Sequence, residues 1–177
     1  MLDRDTILRA LNALSEELGR RDVRGEVCLF GGAVMVLAFR TRHSTNDVDA
    51  IFAPTTAIRE AALKVGEELH LPSGWLNDGV KGFVSEQHAV TQGDLPQFPY
   101  LTVAMPLPEY LLAMKCLAAR AEAESRDFED VKFLLHHLAI TGAEAALKIV
   151  EKYYPAHQVP PRTQYFVEAA INDVPKS

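Results

Sequence analysis

The chain has 177 residues, of which 48% are hydrophobic and 24% charged, and these ordinary values exclude a wholly disordered chain. Eighteen basic and 24 acidic residues give a formal net charge of −6, which excludes a generally basic nucleic-acid coat protein. No apolar run reaches the roughly 18 residues that a membrane span needs. The acidic, amphipathic N-terminus does not resemble a secretory signal, and the distant Cys28 and Cys116 predict reduced core thiols. We therefore expect a cytoplasmic protein without a membrane partner.

The first part of the chain has the pattern of alternating helices and strands. Apolar residues recur at helical spacing from about residue 5 to 20, and Asp3 or Asp5 precedes them as a candidate cap. The elements expected next are a strand over 26–30, a buried helix over 33–39, a polar loop over 40–46, a strand over 47–53 and a helix over 56–69 capped by Thr55.

The rest of the chain changes character after a Gly- and Pro-rich middle that extends from 71 to 99. That middle predicts a helical turn over 77–83 and a strand within 84–90, and a clearer strand follows over 100–105. The remaining pattern predicts helices over 109–122, 126–139 with Ser125 as its cap, 143–153 and 162–172. The expected fold class is therefore α/β (α+β). A mixed sheet flanked by helices spans 1–105, and a helical part over 106–177 packs on it.

Two short motifs in the first half suggest chemistry. Gly31-Gly32 lies between a predicted strand and a predicted helix, and glycine lets the backbone approach a ligand closely. The first amides of a helix can accept a phosphate. Asp47 and Asp49 project from one face of a strand, because side chains alternate with a period of two. Two adjacent carboxylates repel each other, and a divalent cation between them removes that cost.

Each motif also has a purely structural interpretation. A Gly-Gly pair alone is most often a turn, and two acids on an edge strand most often face solvent. The combination is more specific than either part, since it occurs in the order strand, Gly-Gly, helix, loop and Asp-x-Asp strand. The sequence therefore predicts a phosphate site beside a metal site.

The segment GGAVMVLAFRTRHSTNDVDAIF (31–52) resembles the signature of the nucleotidyltransferase superfamily with the polymerase-β-like minimal fold. More closely, the chain is similar to bacterial AbiEii-type and related nucleotidyltransferase-like proteins, which include toxins of toxin–antitoxin systems. Arg42 and Thr45, just before the acids, match that group loosely. A second block, EYLLAMKCLAARAEAESRDFEDVKFLL (109–135), is similar to the group's Lys helix followed by Arg-Asp-x-x-Asp. The resemblance covers about residues 26–138.

The resemblance implies a role for each matching residue. Asp47 and Asp49 would bind Mg²⁺, and with Lys115 and Asp127 they would be the catalytic residues. Asp127 or Asp130 would orient Lys115 or the acceptor. The residues expected to bind the nucleoside triphosphate (NTP) are Gly31, Gly32, Arg42, Thr45, Lys115 and Asp130.

Lys115 can also be interpreted from its neighbours. It lies in an apolar stretch of a predicted helix, where a lone ammonium is costly to bury without a partner. A carboxylate at the head of the next helix could supply that partner. Alternatively, Lys115 extends its stem along the core and keeps its charge in water. Asp127 and Asp130 could in turn simply complement the dipole of their helix.

The chain departs from the superfamily pattern at one point. Active members usually carry a third carboxylate on a later strand, and the strand predicted over 100–105 contains no acid. The candidates in the middle of the chain are Asp78, Glu86 and Asp94. Without a third acid, general-base activation of an acceptor hydroxyl would be in doubt.

Two functions from different classes follow. The first is a Mg²⁺-dependent nucleotidyltransferase that moves a nucleoside monophosphate from NTP to a hydroxyl of an RNA, a protein or a small molecule. Such an enzyme could be the toxin of a toxin–antitoxin pair, with an antitoxin protein as its partner. The alternative is a catalytically inactive nucleotidyltransferase-like module that binds or interacts.

Overall fold

The structure is a computed structural model that describes residues 1–119 and 126–174. It confirms the predicted mixed α/β fold class. The chain divides into two compact units, which are described separately below. The first comprises residues 1–82 and 90–105, and the second comprises residues 83–89 and the described residues from 106 onward. None of the described helices combines the length and apolar character that a membrane crossing requires.

The first unit contains the predicted helices and longer strands in the predicted order, together with three two-residue strands (β1, β3 and β5) that were not predicted. Its strands are Leu2–Asp3 (β1), Gly25–Leu29 (β2), Ser44–Thr45 (β3), Val48–Ala53 (β4), Leu76–Asn77 (β5), Val90–Thr91 (β6) and Leu101–Pro106 (β7). Its helices are Arg4–Arg20 (α1), Gly31–Val34 (α2), which continues as a π-helical turn over Met35–Phe39, and Thr55–Glu68 (α3). A 3₁₀ turn spans Gly79–Phe83.

Five of these strands form one mixed sheet in the order β5-β4-β2-β7-β6. Strand β2 is antiparallel to β4 and parallel to β7, while β4 and β5 are parallel. The remaining strands, β1 and β3, pair with each other, with Leu2 opposite Thr45 and Asp3 opposite Ser44. The prediction of a loop throughout 40–46 is therefore wrong at Ser44–Thr45. A two-residue strand is too short to show a period of two.

The ends of two helices test the predicted caps. Asp3 caps α1 as predicted, since its Oδ1 accepts a hydrogen bond from Thr6 N at 2.8 Å. Thr55 is not a cap but the first residue of α3. Ile58 N donates to Pro54 O at 3.1 Å, which makes Pro54 the capping position. The Thr55 hydroxyl instead donates back to Phe52 O.

The second unit is built from helices, as predicted. They are Pro108–Ala118 (α4), Arg126–His137 (α5), Ala143–Tyr153 (α6) and Pro161–Asp173 (α7), with a 3₁₀ turn over Ala156–Gln158. Helix α4 packs against α5, α6 and α7, so its side chains from Tyr110 to Leu117 are all buried. The predicted end of this helix at 122 and the predicted cap Ser125 lie outside the described residues.

The segment 83–89 joins the helical unit through buried hydrogen bonds. Ser85 N donates to Tyr110 Oη at 2.9 Å, and Ser85 Oγ donates to Tyr153 O. Tyr154 Oη donates to Phe83 O. Hydrogen bonds of this kind do not depend on the hydrophobic periodicity of the sequence. The prediction from the sequence therefore placed residues 83–89 in the α/β part.

Candidate functional site

The Gly-Gly turn of the first unit lies directly against the Asp-x-Asp strand. Phe30 N donates to Asp49 O at 2.8 Å, which fixes the end of β2 beside the start of β4. Gly31 follows with a φ of +59°, and a Cβ added there would lie 2.7 Å from Asp49 Oδ2. Only glycine combines this left-handed backbone with so close an approach. The turn thus places bare backbone at the Asp49 carboxylate.

Gly32 makes a similar approach to the polar segment before the acids. A Cβ at Gly32 would lie 2.5 Å from Thr45 Oγ1 and 3.3 Å from Arg42 Nη1. Thr45 is buried in β3, where pairing with β1 holds it in place. The structure therefore brings Arg42 and Thr45, predicted only from a loose resemblance, to the turn.

The two acids lie at the start of β4. Asp47 immediately precedes the strand, whose first residue is Val48 rather than the predicted 47, and Asp49 is its second residue. Both carboxylates are half-buried, whereas Val48 and Ala50 are buried in the core. Alternation along the chain therefore puts Asp47 and Asp49 on the same face, as predicted, and Val48 and Ala50 on the other.

Asn77 completes this cluster, and the sequence interpretation missed it. It is the second residue of β5, pairs in register with Asp49, and donates from Nδ2 to Asp47 Oδ2 at 3.0 Å. The only signal was its position next to Asp78, a candidate third acid. A polar residue in an unassigned stretch does not show which strand it will join.

Asp78, one of the three candidate third acids, forms ion pairs with two basic side chains. Its carboxylate forms ion pairs with Lys81 and Arg59. Hydrogen bonds from these two cations, Lys81 first, lower the pKa of Asp78. Two cations of the first unit therefore balance the charge of Asp78, which directly follows Asn77.

The other two candidate third acids are Asp94 and Glu86. Asp94 follows β6, at the opposite edge of the sheet from β5, with β2 and β7 between β6 and β4. Glu86 is exposed in the second unit. Across residues 1–119 and 126–174, no three His, Cys, Asp or Glu side chains form a group that could hold a metal.

The donor set at Asp47 and Asp49 nevertheless suits Mg²⁺ bound together with phosphate. Mg²⁺ typically takes one or two carboxylates and completes its shell with water and substrate phosphates. The absence of a Cβ at Gly31 makes room for the Asp49 carboxylate directly against the backbone of the turn. Asp47 Oδ2 accepts from Asn77, and a carboxylate has a second oxygen for a metal.

The second unit contains the other predicted cluster. Lys115 Nζ lies 2.8 Å from Asp127 Oδ1 and 2.6 Å from Asp130 Oδ2. The Lys115 and Asp130 side chains are 6% and 3% exposed, whereas that of Asp127 is 48% exposed. The expected carboxylate partner for Lys115 is therefore confirmed, and the alternative of a solvated lysine is wrong. Asp127 and Asp130 share a helix face because they are three residues apart.

The predicted site residues thus form two clusters, one in each unit. Comparisons of the chain with protein-family models, with curated proteins and with solved structures give no match.

Proposed function

We propose that this protein is a Mg²⁺-dependent nucleotidyltransferase, which moves a nucleoside monophosphate from NTP to an acceptor hydroxyl. One observation carries the proposal: the Gly31 backbone lies where a single Cβ would reach within 2.7 Å of Asp49 Oδ2. Two sequence motifs 15 residues or more apart therefore meet at one point, with Arg42 and Thr45 beside them. A turn needed only for chain reversal would not require a carboxylate at this distance.

The residues of the first unit suit distinct parts of this reaction. Asp47 and Asp49 supply the carboxylates for Mg²⁺, which when bound neutralises phosphate charge and stabilises the leaving pyrophosphate. Gly31 and Gly32 offer backbone that phosphate oxygens can approach closely. Arg42 supplies a guanidinium, whose planar donors match phosphate oxygens. In the reaction, the acceptor oxygen bonds to the α-phosphorus, the bond to pyrophosphate breaks, and the hydroxyl proton is released.

Other parts of the expected function stay predictions. These are the phosphate contact of Lys115, the orienting roles of Asp127 and Asp130, and the nature of the acceptor. The toxin role and its antitoxin partner are also predictions. A growth test addresses the toxin role. Induced wild-type protein should arrest the growth of bacterial cells, and the Asp49→Asn variant should not.

Calorimetric titration with each of the four NTPs in the presence of Mg²⁺ tests the proposal. We expect wild-type protein to bind at least one NTP, and the Asp47→Ala/Asp49→Ala double variant to lose that binding. Asp78→Ala is the matched control, because it removes a nearby carboxylate that is paired with Arg59 and Lys81. Metal-independent binding, or equal binding by the double variant, would contradict the proposal.

A second experiment measures transfer itself. NTPs labelled at the α-phosphate are incubated with the protein and, separately, with bulk RNA, a protein extract and a small-molecule extract. Label should appear in one of these acceptor pools and should not appear with the double variant. The pool that takes up the label identifies the acceptor class.

A nucleotide-binding module without transfer activity is the second candidate function. The observation that favours it is Asn77, a neutral amide on the strand next to Asp49, together with the ion pairs that Asp78 forms with Arg59 and Lys81. This candidate predicts Mg²⁺-dependent NTP binding that depends on Asp47 and Asp49, but no transfer of label to any pool.

A further inference from the structure

The oxygen and the NH₂ group of the Asn77 side chain are both hydrogen-bonded, which fixes the orientation of the amide. Its Oδ1 accepts from Gly79 N at 3.0 Å, and its Nδ2 donates to Asp47 Oδ2 at 3.0 Å. The Gly79 N–H can only donate, so the oxygen of the amide must face it. The NH₂ group is therefore aimed at Asp47, and a flipped amide would lose both bonds.

This orientation has a consequence for the charge at Asp47 and Asp49. Asn77 pairs in register with Asp49, so it occupies the position on β5 nearest to both acids. The side chain there is neutral, and it presents a donor rather than an oxygen ligand. The cluster formed by Asp47, Asp49 and Asn77, called the first-unit cluster, therefore carries two carboxylate charges, and the guanidinium of Arg42 lies beside Gly32.

The charge of two carboxylates balances the charge of one divalent ion but not the charge of two. Divalent ions in two-metal sites lie about 3.5–4 Å apart and repel strongly, so further acidic ligands must offset that repulsion. An amide that donates to one of the acids opposes a second ion instead. Donors in the outer shell of a metal ligand fix its orientation and raise affinity.

We propose that the first-unit site binds a single divalent ion, and that Asn77 is the positioning residue that aligns Asp47 for it and limits the site to one. This inference rests on the proposed function, because it assumes that Asp47 and Asp49 are metal ligands. It goes further by assigning a role to Asn77 and a number of metal ions to the site.

The test counts Mn²⁺ ions bound by the full chain without nucleotide, from the paramagnetic resonance signal of free Mn²⁺. Wild type should bind one ion per chain, and Asp47→Asn/Asp49→Asn should bind none. Asn77→Ala should still bind one ion, with affinity lowered about tenfold or more, as for other outer-shell partners. Asn77→Asp should bind two ions, because it adds the missing carboxylate.

Two controls separate metal binding from folding. Asp78→Asn removes the neighbouring carboxylate without touching Asp47 and should leave Mn²⁺ affinity and stoichiometry unchanged. Trp75, the single tryptophan, immediately precedes β5, is 2% exposed and donates from Nε1 to Ala62 O. Its emission maximum should therefore be the same in wild type and in every Asn77 variant if β5 is intact.

The possible results distinguish a failure of the proposed metal site from a failure of the role proposed for Asn77. If wild type shows neither Mn²⁺ binding nor Mg²⁺-dependent NTP binding, or binds Mn²⁺ equally without Asp47 and Asp49, both the proposed metal site and the role of Asn77 are overturned. If wild type binds the metal only together with NTP, if it binds two ions, if Asn77→Ala keeps full affinity, or if Asn77→Asp still binds one, only the role of Asn77 is overturned.

Discussion

Lys115 Nζ lies 2.6 Å from Asp130 Oδ2, and both side chains are almost completely buried in the second unit. An ammonium buried without a counterion is costly, so Asp130 is the partner that this helical unit requires. Asp127 also contacts Lys115, but about half of its side chain is exposed. The two carboxylates therefore contribute unequally to stability.

Replacing these acids one at a time should reveal the difference. We expect Asp130→Asn to lower the free energy of unfolding by about 2–3 kcal/mol, because a buried hydrogen-bonded carboxylate is lost while Asp127 still faces Lys115. The matched change Asp127→Asn should cost at most about 1 kcal/mol, because its pair is screened by water. Urea denaturation followed by circular dichroism measures both. Equal losses of unfolding free energy would contradict the prediction that the more buried carboxylate contributes more to stability.

Gly31→Ala should abolish metal binding at Asp47 and Asp49. The new Cβ would lie 2.7 Å from Asp49 Oδ2, in a backbone conformation with a φ of +59°, so the carboxylate must move. Gly74→Ala is the matched control, since Gly74 has a φ of +70° and no atom within 4 Å of an added Cβ. Both variants should lose about 1–3 kcal/mol of stability from backbone strain. Only Gly31→Ala should lose Mn²⁺ binding, and a loss in both would point to unfolding.

Glu17 should make the protein sensitive to acid. Hydrogen bonds from Lys64, Arg21 and Arg20 lower the pKa of this carboxyl from 4.5 to about 2. A pKa below that of the unfolded chain means that the stabilisation is complete above about pH 4.5 and is lost as the pH falls toward 2. The difference in unfolding free energy between wild type and Glu17→Gln should therefore shrink from pH 6 to pH 3.

The control for this titration is Glu16→Gln. Glu16 is the neighbouring acid on α1, but its side chain is 59% exposed and lies 3.9 Å from Arg20. Its substitution should change stability little across the same pH range. A wild-type-minus-Glu17→Gln difference that does not change with pH would refute the role of Glu17.

The two cysteines should be unreactive in the folded protein. Burial raises the pKa of the Cys28 thiol to about 11 and that of Cys116 to about 12, so the reactive thiolate is scarce at pH 8. Ellman's reagent should therefore label both thiols in urea and label neither rapidly without it. Cys28, the less buried of the two, should react first. Rapid labelling of Cys116 in the native protein would contradict this prediction.

The elements that the sequence predicted well are long and strongly patterned. Helix α6 has the predicted bounds of 143–153, and α1 begins one residue before the predicted start of 5. Strand β4 also matches closely, because Val48, Ala50 and Phe52 alternate with half-buried residues. Such patterns repeat over several turns or strand residues, so each part of the pattern supports the others.

The candidate site was predictable to the extent that its residues belong to local motifs. Gly31, Gly32, Asp47 and Asp49 stand out by residue type and spacing, and the structure brings them together. Asn77 does not stand out, since its importance depends on β5 pairing in parallel with β4. The assignment of 83–89 to the helical unit likewise depends on Ser85 reaching Tyr110 and Tyr153.

The amino-acid pattern alone was therefore enough to establish the α/β class, most helices and the acids and glycines of the candidate site. Periodicity and capping are local, and they act between residues close together in the chain. Only the folded chain decided that Asn77 holds Asp47, that Asp78 belongs to Arg59 and Lys81, and that Lys115 is buried between two carboxylates. Those contacts join residues that are far apart in sequence or in unpatterned segments, so strand register and packing select them.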